Sequence, residues 1–331
     1  MTRRTILFSA TAIALGALAV LLALEGGLRV AESWRGGIVS LTILPSRMLV
    51  PSRIPGVPME LRPGFTAGGI SIDGHGFRSP SFPVEKPPGE TRIFVVGDSV
   101  AFGTGLSQEQ TVTARLQERF DRGGERGPVR IVNAAVPGYN APEILGTIEG
   151  KLGPFGPDLV VAYLNFTDVG CPAYIIPRGR LGPALFRHSA LARATLGRIG
   201  SVQASRESFR RECFHVGSLT LARLLATGER DPARWLFVEA PKLDSPDDGP
   251  NGGSDGEYLH RQLAAHAVRR VDLAEVYRRR FGSLRGLQLS PTDGHPGPEA
   301  NAAAADAIYE RLIADGLPAP RPGAFPAAPL P

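Results

Sequence analysis

An alternation of short apolar strands with helix-like segments constrains the fold of this 331-residue chain more than any other feature. Strand signals occur at residues 92–97, 129–133, 158–164 and 235–240, and a loop-like stretch follows each of them. Such alternation favours a mostly parallel sheet with helices on both faces. In folds of this kind, ligands bind at the carboxyl ends of the strands. We therefore expect an α/β domain whose functional residues directly follow its strands.

The remaining regular segments have helical spacing. Helices are predicted at residues 111–120, 141–152, 257–268, 273–281 and 298–314. Residues 171 to about 232 lack this regularity, so they are predicted to be irregular and only locally helical. Residues 243–256 are polar and rich in glycine and aspartate, which predicts a flexible loop.

The N-terminus combines two arginines with a long apolar run. Arg3 and Arg4 precede Ile6–Leu24, which contains no charged residue. About 20 apolar residues span a bilayer as a helix, whereas a signal-peptide core has roughly 7–15. We expect an uncleaved signal anchor; a cleaved signal peptide and a buried soluble helix are the other interpretations. The arginines would stay in the cytoplasm, so the rest of the chain would be exported.

The expected organisation follows from these segments and from two proline-rich stretches. It consists of a signal anchor or transmembrane helix at residues 1–30, a linker or strap at 31–66, a main domain at 67–316 with an insertion at about 170–232, and a disordered Pro/Ala-rich tail at 317–331.

The charge, motif and cysteine content of the chain limit the functions that it can have. The net charge is +5, and the basic residues are scattered among acidic ones, which indicates solvated faces and no nucleic-acid partner. No Walker loop, strand-following GxGxxG motif or metal-ligand spacing is present, so we expect no cofactor and no metal. Cys171 and Cys213 are either two unrelated buried thiols or one disulfide, and export favours the disulfide.

Four short polar motifs contain the residues that could perform chemistry. They are Gly-Asp-Ser at 97–99, Asn-Ala-Ala-Val-Pro-Gly at 133–138, Asn-Phe-Thr-Asp at 165–168 and Asp-Gly-His-Pro at 293–296. The first three follow predicted strands, and the fourth lies in a predicted loop before the last helix. The carboxyl ends of parallel strands share one edge of the sheet, so we expect these motifs to meet there.

The residue types in these motifs suit nucleophilic catalysis. A serine such as Ser99 is a weak nucleophile until a base takes its proton, and His295 could be that base. Asp293 could hold the histidine ring in one tautomer. The N–H groups of Ser99 and Gly138 could stabilise an oxyanion, because turns at these positions leave them free to face a substrate.

In this order, the four motifs resemble the conserved blocks of the SGNH (GDSL-type) hydrolase superfamily, over about residues 68–315. The segment 74–78 (Gly-His-Gly-Phe-Arg) also resembles an entry segment of the membrane-anchored bacterial branch. The resemblance implies a flavodoxin-like three-layer α/β/α fold, with Ser99 as nucleophile and His295 as base. It also implies an oxyanion hole formed by the Ser99 and Gly138 N–H groups and an asparagine of the third block. Arg78 could line the site or hold the strap by a salt bridge, and we favour the structural role.

Two departures from the family pattern concern the site. Thr167 occupies the usual asparagine position of the third block, so either Thr167 or the nearby Asn165 would have to supply the third oxyanion donor. Asp293 stands two residues before His295, where the family pattern has three, so its role in orienting the histidine has to be tested by geometry.

The expected function is that of a serine esterase or deacylase acting on O-acyl, most simply O-acetyl, esters of an extracytoplasmic glycan or lipid. The location would be the cell membrane, with one span and a periplasmic or extracellular catalytic domain. Two alternatives remain open. The same site could serve an O-acyltransferase of exported polysaccharide, with a membrane acyltransferase as partner, or the chain could be a non-catalytic glycan-binding protein.

Overall fold

The computed structural model describes residues 3–35, 48–123, 127–171, 185, 188–195, 207–243 and 253–316. The predicted tail at 317–331 lies outside the described residues, as do residues 36–47 of the predicted linker, much of the insertion before residue 207, and residues 244–252 of the predicted polar loop.

A single helix, α1 (Arg3–Arg35), forms the N-terminal part of the chain. Its segment Phe8–Ala31 has a mean hydropathy of 2.0 and is long and apolar enough to cross a membrane, by length and composition. The predicted apolar helix is therefore present, and it extends beyond the predicted end at residue 30. Near its C-terminal end, Glu25 accepts hydrogen bonds from the Ala190 and Leu191 N–H groups, so α1 contacts the insertion.

The described part of the predicted linker is more ordered than its sequence indicates. It forms two short antiparallel ladders, β1 (Leu49–Pro51) with β2 (Met59–Leu61) and β3 (Thr66–Ala67) with β4 (Ile70–Ser71). Leu49, Met59 and Leu61 are buried in the core, and the Tyr139 hydroxyl donates to the Met59 carbonyl at 2.6 Å. These residues therefore pack in the same core as the residues after position 67.

The predicted parallel sheet is confirmed. Its five strands are β5 (Thr91–Gly97), β6 (Val129–Asn133), β7 (Leu159–Leu164), β8 (Trp235–Glu239) and β9 (Arg270–Asp272). All neighbours are parallel, and the spatial order is β6-β5-β7-β8-β9. The chain therefore reverses its direction of winding at β5, which lies between β6 and β7 and marks the topological switch point where such folds bind ligands.

Helices cover both faces of this sheet, as predicted. They are α2 (Ser99–Phe102), α3 (Val112–Gly123), α4 (Ala141–Thr147), α5 (Glu207–Arg230), α6 (Ser254–Ala265), α7 (Leu273–Phe281) and α8 (Pro298–Asp315). Helix α8 packs against α3 and α7, and α4 packs against α5. A π-helical turn, Ile148–Leu152, continues α4 to the end predicted for it.

The prediction of an irregular insertion is wrong for its last part, because α5 is a regular helix of 24 residues. Its buried face includes Gly217, Thr227 and Gly228 beside the leucines, so an apolar stripe is hard to recognise in its sequence. Two further elements were not predicted. Strand β9 has only one apolar residue, and the loop before α8 contains a short antiparallel hairpin of β10 (Gln288–Ser290) and β11 (Asp293–Pro296).

Candidate active site

The turn between β5 and α2 presents Ser99 at the carboxyl edge of the sheet. Gly97 is required there by close packing, since a Cβ on it would lie 2.5 Å from the Tyr163 carbonyl oxygen and 2.7 Å from the Ala101 Cβ. Asp98 caps α2 by accepting the Val100 N–H at 2.9 Å. Ser99 is the first residue of the helix, where N–H groups have no partner within the helix. This turn therefore directs both its hydroxyl and its N–H away from the sheet.

Two buried side chains hold the C-terminal end of α2. The Arg78 guanidinium is 1% exposed and donates to the carbonyl oxygens of Phe102, Gly103 and Leu106 at 3.0, 2.8 and 2.6 Å. Asn133 Nδ2 donates to the Ala101 and Phe102 carbonyls. Arg78 thus has the structural role expected of it, but it binds backbone carbonyl oxygens of α2 and the turn after it. Among the residues that the structure describes, it forms no salt bridge of the kind predicted.

Hairpin β10–β11 brings His295 to Ser99. His295 Nε2 lies 2.9 Å from Ser99 Oγ, and His295 Nδ1 lies 2.6 Å from Asp293 Oδ1. The same carboxylate oxygen accepts the His295 backbone N–H at 3.0 Å. Asp293 can therefore orient His295 although only two positions separate them in the sequence, because its side chain turns back onto the backbone N–H and the Nδ1 of His295.

The charge states of this trio follow from its hydrogen bonds. The backbone and ring N–H groups of His295 lower the pKa of Asp293, although its slight burial acts in the opposite direction. Asp293 is thus a carboxylate at neutral pH, and the proton on the imidazole faces it from Nδ1. Nε2 is consequently the acceptor that a serine nucleophile needs.

The loop after β6 lies beside the serine turn. Its Val136 N–H donates to the Gly97 carbonyl at 3.1 Å, so the backbone two residues later, at Gly138, follows the edge next to Ser99. Gly138 has φ +85°, a conformation that side chains disfavour. Within the described part of the chain, its N–H has no hydrogen-bond acceptor. This N–H is therefore unoccupied, as the role predicted for it in an oxyanion hole requires.

In the loop after β7, residues 165–168 (the third loop), the Thr167 side chain binds other protein groups. It is therefore not free to donate to an oxyanion as the asparagine of the family pattern would be. The Thr167 hydroxyl lies 2.8 Å from Asn165 Oδ1 and 3.2 Å from Asp98 Oδ2. Asn165 is 2% exposed; its Oδ1 also accepts the Thr167 N–H, and its Nδ2 is buried without a hydrogen bond of good geometry. Both residues predicted as alternative donors are thus close to Asp98, and they bind each other.

Behind this loop lie two further buried carboxyl groups. Asp168 accepts the Asn165 N–H at 2.6 Å, and Glu143 accepts the Asn140 N–H at 2.7 Å. Burial raises the pKa of Asp168 well above its usual range, and the neighbouring Asp98 adds to this effect. Burial also raises the pKa of Glu143 to about 8, although the Asn140 N–H acts in the opposite direction. Glu143 is therefore protonated in the folded protein at neutral pH.

This raised pKa predicts a pH-dependent stability. Between pH 4.5, the ordinary pKa of the group, and about 8, the folded protein keeps a proton on Glu143 that the unfolded chain releases. Raising the pH through this window therefore lowers the free energy of unfolding, by up to roughly 1.4 kcal/mol per pH unit. Glu143→Gln retains the acceptor for the Asn140 N–H and should show a shallower pH dependence in urea denaturation. Glu257→Gln, on the exposed face of α6, is the control, and an unchanged slope in Glu143→Gln would contradict the assignment.

Helix α5 is fastened to the end of the third loop. Cys171 and Cys213 form a disulfide with a Cα–Cα distance of 4.8 Å. One turn further along α5, Gly217 packs so closely on Val169 that a Cβ would lie 2.6 Å from the Val169 carbonyl oxygen. The disulfide pair considered in the sequence is thus joined, and it ties the insertion to the loop that carries Thr167.

One group of side chains in the described residues has the spacing of a metal site. Ligand atoms of Glu239, His260 and Asp272 lie within 4.8 Å of one another. His260 Nδ1 is 2.9 Å from Glu239 Oε1, and Arg270 lies 3.9 Å from the other carboxylate oxygen. Glu239 thus has a hydrogen-bond partner in His260 and a cation, Arg270, nearby, and neither Ser99 nor His295 belongs to this group.

Comparison with solved structures finds proteins of related architecture. A lipolytic protein of the G-D-S-L family from Desulfitobacterium hafniense DCB-2 is 14% identical, with a TM-score of 0.43, over 67% of this chain and 99% of that one. An acetylxylan esterase from Geobacillus stearothermophilus is 13% identical, with a TM-score of 0.46, over 67% and 94%. A lipase/acylhydrolase from Enterococcus faecalis is 15% identical, with a TM-score of 0.43, over 70% and 98%.

The similar proteins are lipolytic proteins and esterases. No protein-family model matches the sequence, and neither does any curated protein. At these low identities and TM-scores, the similarity carries no information about the substrate of this chain. Its chemistry has to follow from the arrangement of its own residues, above all from Asp293, His295 and Ser99.

Proposed function

We propose that this chain is a serine ester hydrolase with Ser99 as nucleophile, His295 as general base and acid, and Asp293 as the residue that orients the histidine. The observation that carries the proposal is the continuous hydrogen-bonded series from Asp293 Oδ1 through the imidazole to Ser99 Oγ, with distances of 2.6 and 2.9 Å. Serine, base and orienting acid within hydrogen-bond reach are the geometric signature of nucleophilic acyl transfer.

The reaction proceeds in two halves. Ser99 Oγ attacks the acyl carbonyl while His295 Nε2 takes its proton, and the resulting oxyanion accepts hydrogen bonds from the Ser99 and Gly138 N–H groups. The imidazolium then returns the proton to the departing alcohol oxygen, leaving the acyl group on Ser99. In the second half, His295 takes a proton from water, the hydroxyl attacks the acyl-enzyme, and Ser99 regains its proton as the acid leaves.

We infer that this chemistry takes place at the outer surface of a membrane, on O-acyl esters of a glycan or lipid. The apolar segment of α1 supports the membrane location. A cavity of about 760 Å³ opens beside the third loop, where Gly170, Arg210, Phe214 and Asp255 contribute to its walls.

Turnover of a panel of esters by the full chain in phospholipid vesicles tests the proposal. The panel contains an acetyl ester, its butyryl and octanoyl counterparts, an O-acetylated polysaccharide and a phospholipid. We expect release of acetate from the small ester and from the polysaccharide, with slower turnover of the longer acyl chains. Transfer of acetyl to an added oligosaccharide would favour the acyltransferase alternative, and a folded protein that releases no acid from any ester would contradict ester hydrolysis.

A further inference from the structure

The Asp98 carboxyl lies among hydroxyl groups whose hydrogens are already committed. Its Oδ2 is 3.2 Å from Thr167 Oγ1 and 3.5 Å from Ser99 Oγ. Asp98 is 4% exposed, so no more than a trace of solvent reaches it. The Val100 N–H and the Asn165 side chain also contact the carboxyl. At Oδ2, the charge state depends on which of the three oxygens carries a hydrogen directed at the others.

The Thr167 hydrogen points at Asn165. Asn165 Oδ1 accepts the Thr167 backbone N–H at 2.9 Å, which identifies this atom as the amide oxygen. Thr167 Oγ1 lies 2.8 Å from the same oxygen, a distance that requires a hydrogen between two oxygen atoms. An amide oxygen has none to give, so the hydroxyl donates to Asn165.

The Ser99 hydrogen points at His295. Asp293 is a carboxylate that faces His295 Nδ1 at 2.6 Å, so Nδ1 carries the ring proton and Nε2 accepts. Ser99 Oγ lies 2.9 Å from Nε2, and its hydrogen is directed there. Both hydroxyl oxygens near Asp98 Oδ2 thus turn lone pairs toward it.

We propose that the Asp98 carboxyl is protonated in the resting site and donates its hydrogen to Thr167 Oγ1, which makes Asp98 a positioning residue for the third loop. Its other oxygen, Oδ1, still accepts the Val100 N–H, as the carbonyl oxygen of a neutral acid can. A series of hydrogen bonds then runs from Asp98 through Thr167 to Asn165 Oδ1. This inference assigns a role within the proposed ester hydrolysis and rests on it for its consequence in catalysis.

The groups around Asp98 act on its charge in both directions. Burial raises the pKa of Asp98, and its contacts with the Asn165 side chain, the Val100 N–H and the Thr167 side chain offset only part of that effect. A protonated His295 would favour the charged form of Asp98. Charge on Asp98 in turn raises the pKa values of its neighbours Asp168 and Tyr163, which favours the protonated form of both.

A neutral Asp98 matters because of where the oxyanion forms. The tetrahedral intermediate places a negative charge next to Ser99, whose own hydroxyl oxygen is 3.5 Å from Asp98 Oδ2. A carboxylate there would oppose that charge in a site of low dielectric, whereas a carboxylic acid does not. Ionisation of Asp98 at alkaline pH should therefore slow acylation.

The protonation state can be measured without any enzymatic activity. In carbon-13 NMR of the full chain labelled at aspartate carboxyl carbons, the wild-type Asp98 signal should keep the shift of a protonated acid at neutral pH and move only at alkaline pH. In the infrared spectrum, Asp98→Asn should remove one protonated-carboxyl band, whereas the exposed-helix control Asp121→Asn should remove none. An Asp98 carbon at the carboxylate shift throughout neutral pH would overturn the proposal, whether or not the chain hydrolyses esters.

Activity provides the second test. Asparagine matches a neutral Asp98, since its oxygen can accept the Val100 N–H and its amide can donate to Thr167. Asp98→Asn should therefore stay within roughly tenfold of the wild-type kcat/KM at neutral pH and lose the alkaline decline, while Asp98→Ala falls by roughly 100-fold or more. If Asp98→Asn is as impaired as Asp98→Ala and retains the alkaline decline, the carboxyl acts in its charged form and the proposal fails. Absence of turnover in the wild type would instead contradict the ester hydrolysis and leave the spectroscopic result standing.

Discussion

Ser99→Ala and His295→Ala should each lower kcat/KM for an acetyl ester by about 10⁴-fold or more. The first removes the atom that forms the acyl-enzyme, and the second removes the base 2.9 Å from it. The double variant should be little slower than either single variant, because the two residues act as a unit. Steady-state kinetics on purified full-length protein, with circular dichroism to confirm the fold, gives the measurement.

Two matched control variants distinguish the loss of a catalytic residue from a nonspecific loss of activity on removing any serine or histidine. Ser218→Ala removes a hydroxyl on α5 that donates to the His215 carbonyl of the same helix. His266→Ala removes a histidine that pairs with Glu229. Both controls should retain wild-type kinetics to within a few-fold. Equal activity of Ser99→Ala and the wild type would exclude the serine mechanism.

Arg78→Ala should lower the free energy of unfolding by about 3–5 kcal/mol, the largest stability effect we expect from a single substitution outside the apolar core. It removes one donor from each of three buried carbonyl oxygens, and the guanidinium 4.5 Å from the Phe102 ring centre is lost with it. The Phe102 oxygen keeps Asn133 Nδ2 and the Gly103 oxygen keeps the Leu106 N–H, whereas the Leu106 oxygen loses the donor at 2.6 Å. Burial lowers the pKa of Arg78 only to about 10, so the lost group is charged at neutral pH. Urea denaturation measures the effect.

The same substitution should also affect the site, since Arg78 holds the C-terminal end of the helix that begins with Ser99. Arg78→Lys, which can satisfy one or two of the three carbonyls, should fall between the wild type and Arg78→Ala in both stability and kcat/KM. Arg279→Ala, on the exposed side of α7, is the control and should change stability by no more than about 0.5 kcal/mol. A loss below 1 kcal/mol for Arg78→Ala would show that the carbonyls find other donors.

The parts of the fold that the sequence predicted well are those where burial alone decides the residue types. Strands β5, β7 and β8 are buried along their whole length. Apart from Thr91, Arg92 and Glu239 at strand ends, they consist of apolar residues and one glycine, which gives each a clear apolar run. Strand β9 escaped prediction because the polar Arg270 and Asp272 flank its single valine. Helix α5 escaped because small residues, among them Gly217, form part of the face that packs on the domain.

The site could be predicted in outline for a topological reason, and its details could not. Parallel strands end at one edge, so motifs that follow β5, β6 and β7 had to converge there. The hydrogen bonds between the motif residues at this edge of the sheet depend on local turns, and the spacing of residues in the sequence does not specify those turns. Asp293 reaches His295 because its side chain turns back over a short hairpin, and Thr167 faces Asn165 Oδ1 because the amide is fixed by the loop backbone. For Arg78, in the motif at 74–78, the sequence favoured a structural role. It did not indicate that the guanidinium binds backbone carbonyl oxygens at the end of α2.

The most direct test of the account is to identify the residue that a fluorophosphonate modifies covalently in the full-length protein, by intact mass and peptide sequencing. If Ser99 is the nucleophile and His295 its base, we expect one adduct per chain, on Ser99. Labelling should be abolished in Ser99→Ala and strongly slowed in His295→Ala. Labelling of another residue, or a folded wild type that is never labelled, would contradict the assignment of Ser99 and His295 as nucleophile and base.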